Sequence, residues 1–281
     1  MYGVSPAWFL SLYGDDFTCA QAAESLTSLS DLGYQGWQPE IFLPEALQEW
    51  ESGAARELMK RSSDLGLTTT QFVAHFLLHA FESAEALKSD WGIEEAERLM
   101  AVLSEWSEIK VVTVPIPAFA YDRIISPSEY RALYRRLVEK LTIMAASMEA
   151  GGRRCGLEIL PGALTGGSEA VLRLKGEPGL ENLGVNLDTG HFHAASEPLA
   201  LTLGRIGDNV TGTHLCDNDG ITNKSMEPGA GSVEWETFRG WAKSGEYVGS
   251  WDIEIRCPAA EAEERYRKGL TFLRRLLDNE S

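Results

Sequence analysis

Residues 184–191 read GVNLDTGH, a short apolar run that ends on an acid, Asp188, followed closely by a glycine and a histidine. The plan recurs on both sides. Residues 155–160 (CGLEIL) carry Glu158, residues 210–219 (VTGTHLCDND) carry His214 and residues 250–255 (SWDIEI) carry Glu254, each at or beside the C-terminal end of its run. Strands buried on both faces read as near-continuous apolar stretches, so an acid at the edge of successive runs is costly unless a cation sits among them. Three carboxylates and one imidazole can hold one divalent metal, Mn²⁺, Mg²⁺, Co²⁺ or Zn²⁺, and oxygen-rich sites discriminate poorly among these.

Outward from these runs the chain alternates apolar stretches with helical patterns. Strands are expected at 8–13, 36–42, 68–77, 110–115, 155–160, 184–188, 210–215 and 250–255. Helices are expected at 18–32, 44–65, 93–107, 127–149, 168–174, 198–203, 235–243 and 260–277. Pro127 and Pro198 suit first helical turns, and Gly33, Gly66, Gly151 and Gly245 suit C-caps. Strands separated by helices of this length pair in parallel through right-handed crossovers. Eight such units predict an α/β fold, a (β/α)₈ TIM barrel forming a single domain over 1–281, with an open doubly wound sheet as the runner-up. In a barrel, chemistry gathers at the C-terminal mouth. Adjacent strands stand roughly 4.8 Å apart, so Glu158, Asp188, His214 and Glu254 can converge on one ion.

Composition narrows the partners. The 281 residues carry a formal net charge of −17, which disfavours nucleic acid and anionic membranes, since both are held by Lys and Arg. Cys19, Cys155, Cys216 and Cys257 show no close metal spacing, and neither a leader-like start nor a long apolar span is evident, so a reduced cytoplasmic enzyme is expected. Gly151-Gly152 and Gly166-Gly167 match no phosphate or dinucleotide fingerprint, so no nucleotide cofactor is expected.

The ordered series LEI, NLDTGH, THLCDND, PGAGSVEWETF and DIEI resembles the xylose isomerase-like TIM-barrel superfamily, which includes ketose 3-epimerases, inosose-modifying enzymes, hydroxypyruvate isomerases and AP endonucleases. The resemblance is strongest from Leu157 to Ile255. It implies a mononuclear metal on Glu158, Asp188, His214 and Glu254, with His191 reaching the substrate, and a site-flanking loop at Pro228-Gly229-Ala230-Gly231. Relatives are often dimers or tetramers, so a homo-oligomer is expected by analogy alone.

The implied chemistry is isomerisation or epimerisation of an unphosphorylated ketose, inosose or related keto-polyol. A metal chelating the carbonyl and a neighbouring hydroxyl acidifies the adjacent C–H, and Glu158 and Glu254 move the proton through an enediolate. Three alternatives stand beside it: a dehydratase using the same enediolate, an AP endonuclease-like phosphodiesterase, and a non-catalytic metal-binding accessory subunit. The endonuclease reading lacks the extra histidines of a three-zinc cluster. Family epimerases also place an arginine a few residues past the histidine of the THLCDND run, where this chain has CDNDGITNK; Asn218 or Lys224 is the available replacement. His75 and Glu40 can line the substrate pocket, against the reading of a core histidine and a loop acid. Tyr13, Trp37, Phe76 and Phe119 can form an apolar wall, though core packing explains them equally well.

Overall fold

The computed structural model describes residues 1–121, 124–245 and 247–278. Its centre is a ring of short parallel strands: β1 Tyr2–Val4, β2 Gly36–Trp37, β3 Thr68–Thr69, β4 Phe72–Val73, β5 Val111–Ile116, β6 Arg154–Ile159, β7 Gly184–Asp188, β8 Val210–His214 and β9 Trp251–Ile253. β3 and β4 occupy one position of the ring, interrupted at Thr70-Gln71, so eight positions result. Hydrogen bonding divides them into a four-stranded sheet, β3-β2-β1-β9, and a five-stranded sheet, β4-β5-β6-β7-β8. Single bridges close the two seams, Leu215 with Ile253 and Glu40 with Val73.

Around the ring lie helices α1 Ala7–Tyr13, α2 Cys19–Leu32, α3 Ala46–Glu51, α4 Ala55–Asp64, α5 Ala84–Lys88, α6 Ile93–Leu103, α7 Pro127–Ala150, α8 Gly167–Lys175, α9 Thr189–Ala194, α10 Leu199–Ile206, α11 Trp235–Ala242 and α12 Ala262–Asp278. Their starts follow local chemistry. Thr18 and Gln21 form a reciprocal capping box on α2, and the Ser126 hydroxyl accepts from Glu129 N ahead of Pro127 on α7.

Three expectations are corrected. Residues 8–13 form helix α1 behind Pro6, and the first strand is the shorter Tyr2–Val4. A continuous apolar run does not distinguish a buried strand from a buried helix. The stretch 68–77 yields β3 and β4 and then a 3₁₀ turn, His75–Ala80, while 44–65 breaks into two helices around Gly53, whose φ of +87° suits glycine.

The outer shell packs aromatic groups against the ring. Tyr266 of α12 meets Trp8 edge to face at 5.0 Å, and its hydroxyl donates to Ile255 O at 3.1 Å while accepting from Ile255 N at 3.2 Å. This ties the end of β9 to α12. Fully buried Lys140 of α7 donates to three carbonyls, Ala80 O, Ala86 O and Trp91 O, at 3.1, 2.7 and 2.9 Å. All three donors of its ammonium are thereby used, and the segment between the 3₁₀ turn and α6 is moored to α7.

Candidate metal centre and substrate cavity

Four strand ends deliver the site. β6 ends with Glu158 one residue from its last, β7 ends on Asp188, β8 ends on His214, and Glu254 follows β9. Asp188 and His214 are register partners across β7 and β8, so they stand level. One donor atom from each of Glu158, Asp188, His214 and Glu254 lies within 4.8 Å of the other three.

His214 is the centre of the set. Its Nδ1 lies 2.7 Å from Glu158 Oε1 and 2.9 Å from Glu254 Oε2, and its Nε2 donates to Gln38 Oε1 at 2.8 Å. Gln38 is held the other way round by its amide nitrogen, which donates to Thr213 O at 3.5 Å. An amide oxygen only accepts, so Gln38 fixes the proton of a neutral His214 on Nε2 and turns the Nδ1 lone pair toward the carboxylates. Lone pair against carboxylate is repulsive unless a proton or a metal lies between them.

The charges say the same. Burial opposes a charged imidazole, yet Glu158 and Glu254 outweigh it and lift His214 well above its ordinary range. Burial raises the two glutamates, but the imidazole overcomes it, so Glu158 is lowered and Glu254 falls to about 2. Asp188 is pushed up to about 7, by burial first, with Glu254 and Glu158 adding to it. A buried set of three acids and one base is thus in demand of positive charge.

Asp188 also shapes its own loop. Its Oδ1 accepts from His191 N at 2.8 Å and caps α9, while Oδ2 is buried with no hydrogen-bond partner among the described residues. A Cβ on Gly190 would lie 2.5 Å from Cys216 Sγ and Asn218 Nδ2, so the glycine of DTGH permits α9 to press against the end of β8. The capped turn sets His191 Nδ1 3.3 Å from Asp188 Oδ2 and 3.7 Å from Glu158 Oε1. Cys216 completes this corner, its thiol 3.5 Å from Asp188 Oδ1. One nitrogen and three carboxylate oxygens at this spacing, with an orphaned buried carboxylate oxygen, fit a single divalent cation.

The cluster floors a cavity of about 230 Å³ at the barrel mouth. Glu158, His214, Glu254 and His191 line it, as do Glu40 and His75 from just beyond β2 and β4. Glu40 Oε2 and His75 Nδ1 are buried without hydrogen-bond partners among the described residues. Burial, with the neighbouring Glu254 and Glu158, pushes the Glu40 carboxyl well above the usual range, although His214 and Arg256 pull it back. Burial likewise drops His75 to about 4, so its ring is neutral at neutral pH. The His75 ring stacks on Phe42 at 3.9 Å and 9°. The apolar wall comes from Phe42, Leu10 and Leu160; of the expected set, Trp37 and Phe76 are wholly core residues.

The CDNDGITNK loop corrects another expectation. Asn218 is spent within its own loop, its Oδ1 accepting from Lys224 N at 2.6 Å and Ser225 N at 3.1 Å and its Nδ2 donating to Asn223 Oδ1 at 3.2 Å, and Lys224 Nζ is paired with exposed Asp219 at 2.6 Å. Neither lines the cavity. Asn223, Ser225 and Arg256 do. Ser225 takes a left-handed φ of +44° and brings its hydroxyl to 3.4 Å from Glu254 Oε1. Asp217 organises the PGAG loop by accepting from Gly229 N, Val233 N and the Trp235 indole at 2.8 to 2.9 Å. Gln38 and Ser225 carried no sequence signal. Arg256 did: two residues past Glu254 on an extended segment is the same face.

The model of the xylose isomerase-like TIM barrel family matches residues 26–276, and the chain belongs to that family. Among solved structures, the 1.8 Å crystal structure of IolI protein with a bound zinc atom superposes with a TM-score of 0.75 at 17% identity, covering 98% of each chain. A structure of L-ribulose 3-epimerase gives 0.76 at 15% identity, over 99% of this chain and 94% of that one. The apo structure of 3-keto-D-glucoside 4-epimerase, YcjR, from E. coli gives 0.72 at 18%, over 97% and 98%. At such identities the likeness speaks for the fold. No curated protein sequence matches the chain significantly. No described helix is long and apolar enough to cross a membrane.

Proposed function

We propose that this protein is a divalent-metal-dependent sugar isomerase or epimerase, acting on an unphosphorylated ketose, inosose or related keto-polyol by proton transfer through an enediolate. The observation that carries the reading is the pair of glutamates, Glu158 and Glu254, set 2.7 and 2.9 Å from the same nitrogen of His214 at the floor of a substrate-sized cavity. Similarity to folds that include sugar epimerases supports it.

Glu158, Asp188, His214 and Glu254 would hold the ion, which when bound supplies Lewis-acid polarisation of a ketone and its neighbouring hydroxyl. Glu158 and Glu254 come from strands on either side of those bearing Asp188 and His214, so they can address opposite faces of one carbon. One takes the proton and the other returns one. His191, oriented by Asp188, donates to a substrate oxygen. Glu40 and His75 offer unpaired polar atoms to hydroxyls farther along the chain, and Phe42 covers an apolar sugar face.

Metal-loaded protein incubated in D₂O with a panel of ketoses and inososes should introduce deuterium next to the carbonyl, read by NMR. Absence of exchange across the panel would sink the proposal, and loss of water from the product would reassign the enzyme as a dehydratase.

A further inference from the structure

Among the described residues lining the cavity, Arg256 carries the only Lys or Arg charge. Its place is fixed by the backbone. Ile255 is bonded through both N and O to the Tyr266 hydroxyl, and Arg256 N donates to Ser225 O at 3.0 Å. Ile255 is fully buried toward α12, so Glu254 and Arg256 project to the other side, into the cavity. Among the described residues the guanidinium has one ion-pair partner, Asp15, at 3.4 Å, with side chains 44% and 56% exposed. Such an exposed pair is worth little and is readily exchanged.

We propose that Arg256 is a specificity-determining residue that receives a carboxylate at the end of the substrate remote from the ketone, so that the preferred substrate is a keto-sugar acid and not a neutral ketose. This rests on the isomerase reading above. Arg256 stands one strand repeat beyond Glu254, roughly 6–7 Å along the chain. A 2-keto acid cannot span that distance, because its carboxylate is bonded to the ketone carbon. A 2-ketouronate can, with the acid at the opposite chain end. The guanidinium fork matches a carboxylate in two parallel hydrogen bonds. A phosphate dianion ordinarily recruits several cations or backbone amides, and here one arginine faces it beside the buried acid Glu40. On a chain of net charge −17, an anionic substrate gains most from a local cation.

D-tagaturonate and D-tagatose share a skeleton and differ at that terminus. Calorimetric titration of the Mg²⁺-loaded protein should give at least tenfold tighter binding for the acid, the worth of one charge-assisted pair. Arg256→Gln should erase the preference, Arg256→Lys should keep part of it, and Asp15→Asn, which removes the competing carboxylate, should strengthen acid binding severalfold. Thermal melting of each variant excludes misfolding, since both side chains lie at the rim. Equal affinities for the two sugars, or a preference surviving in Arg256→Gln, would overturn the assignment. Tighter binding of D-ribulose 5-phosphate than of tagaturonate would replace the carboxylate by a phosphate. If D-tagatose binds and exchanges deuterium as well as the acid, this inference fails while the isomerase reading stands. If neither sugar binds or exchanges and the wider panel is also inert, the isomerase reading itself fails.

Discussion

Replacing Gln38 by leucine should loosen the metal without touching a ligand. Gln38 is fully buried, its Oε1 is the acceptor for His214 Nε2 at 2.8 Å, and its amide nitrogen faces Thr213 O and Asp252. Leucine keeps most of the volume and removes the acceptor, so the Nε2–H of the coordinating tautomer is left buried and unpaired. That costs about 1–3 kcal/mol, or about fivefold to 150-fold in affinity, and brackets the roughly 10- to 100-fold typical for loss of a partner that orients a metal-bound histidine. Competition against a fluorescent chelator, with Zn²⁺ or Mn²⁺ as the titrant, reads the change directly and does not depend on a substrate. Gln38→Glu retains the acceptor and should hold affinity within a few-fold of the parent, although a further buried acid beside Asp252 should lower its melting temperature. A Leu variant that stays folded and binds metal within twofold of the parent would refute the argument that Gln38 sets the tautomer.

Glu158→Gln and Glu254→Gln each keep a coordinating oxygen but lose the basic site, so turnover on a confirmed substrate should fall about 10²- to 10⁴-fold, and saturating metal should not restore it; near-normal rates in either would end the two-glutamate mechanism. Glu40→Gln should trade activity for stability. Because the folded carboxyl holds its proton to a higher pH than the unfolded one, ionisation destabilises the fold increasingly as pH rises through and above the ordinary carboxylate value of about 4.3. The variant should therefore melt a few degrees higher at pH 8 and converge on the parent toward pH 4, with substrate affinity reduced throughout. A melting advantage independent of pH would show that charge burial is not its cause.

The ring was most legible where strands are buried on both faces. Around Val112, Leu157, Val185 and Leu187 the run is continuous, and in β6 to β8 an acid or histidine closes it, so β5 to β8 and the candidate ligands on the last three lie within a residue or two of the expected places. The N-terminal part was opaque for a physical reason. Tyr2–Val4 is too short to show a pattern, whereas Ala7–Tyr13 is apolar because it packs against the barrel as a helix, and its Ala7 and Leu10 become cavity wall. Gln38 and Ser225 were invisible because their work is done across space: one is defined by the far nitrogen of a histidine on another strand, the other by a left-handed turn that Asn218 holds from seven residues away. Arg256 obeyed simple strand alternation, two residues past Glu254, and was readable from it.

The division of the ring into two sheets bears on how the barrel moves. Glu158, Asp188 and His214 belong to the five-stranded sheet, and Glu254 directly follows β9 of the four-stranded one. The backbone ladder across this seam is narrow, Leu215 N donating to Asp252 O at 2.8 Å and Glu254 N to Leu215 O at 3.0 Å, with the Thr213 hydroxyl adding a bond to Ser250 O at 2.9 Å and one from Asp252 N at 3.0 Å. An ion held by all four side chains would therefore be a rivet driven through a joint. Metal binding and closure of the wall would then be one mechanical variable: strain that spreads the joint would draw Glu254 away from the other three, and an occupied site would damp the breathing of the mouth. Amide exchange at Leu215 and Glu254 should quicken on chelation while Leu157, deep within one sheet, keeps its protection.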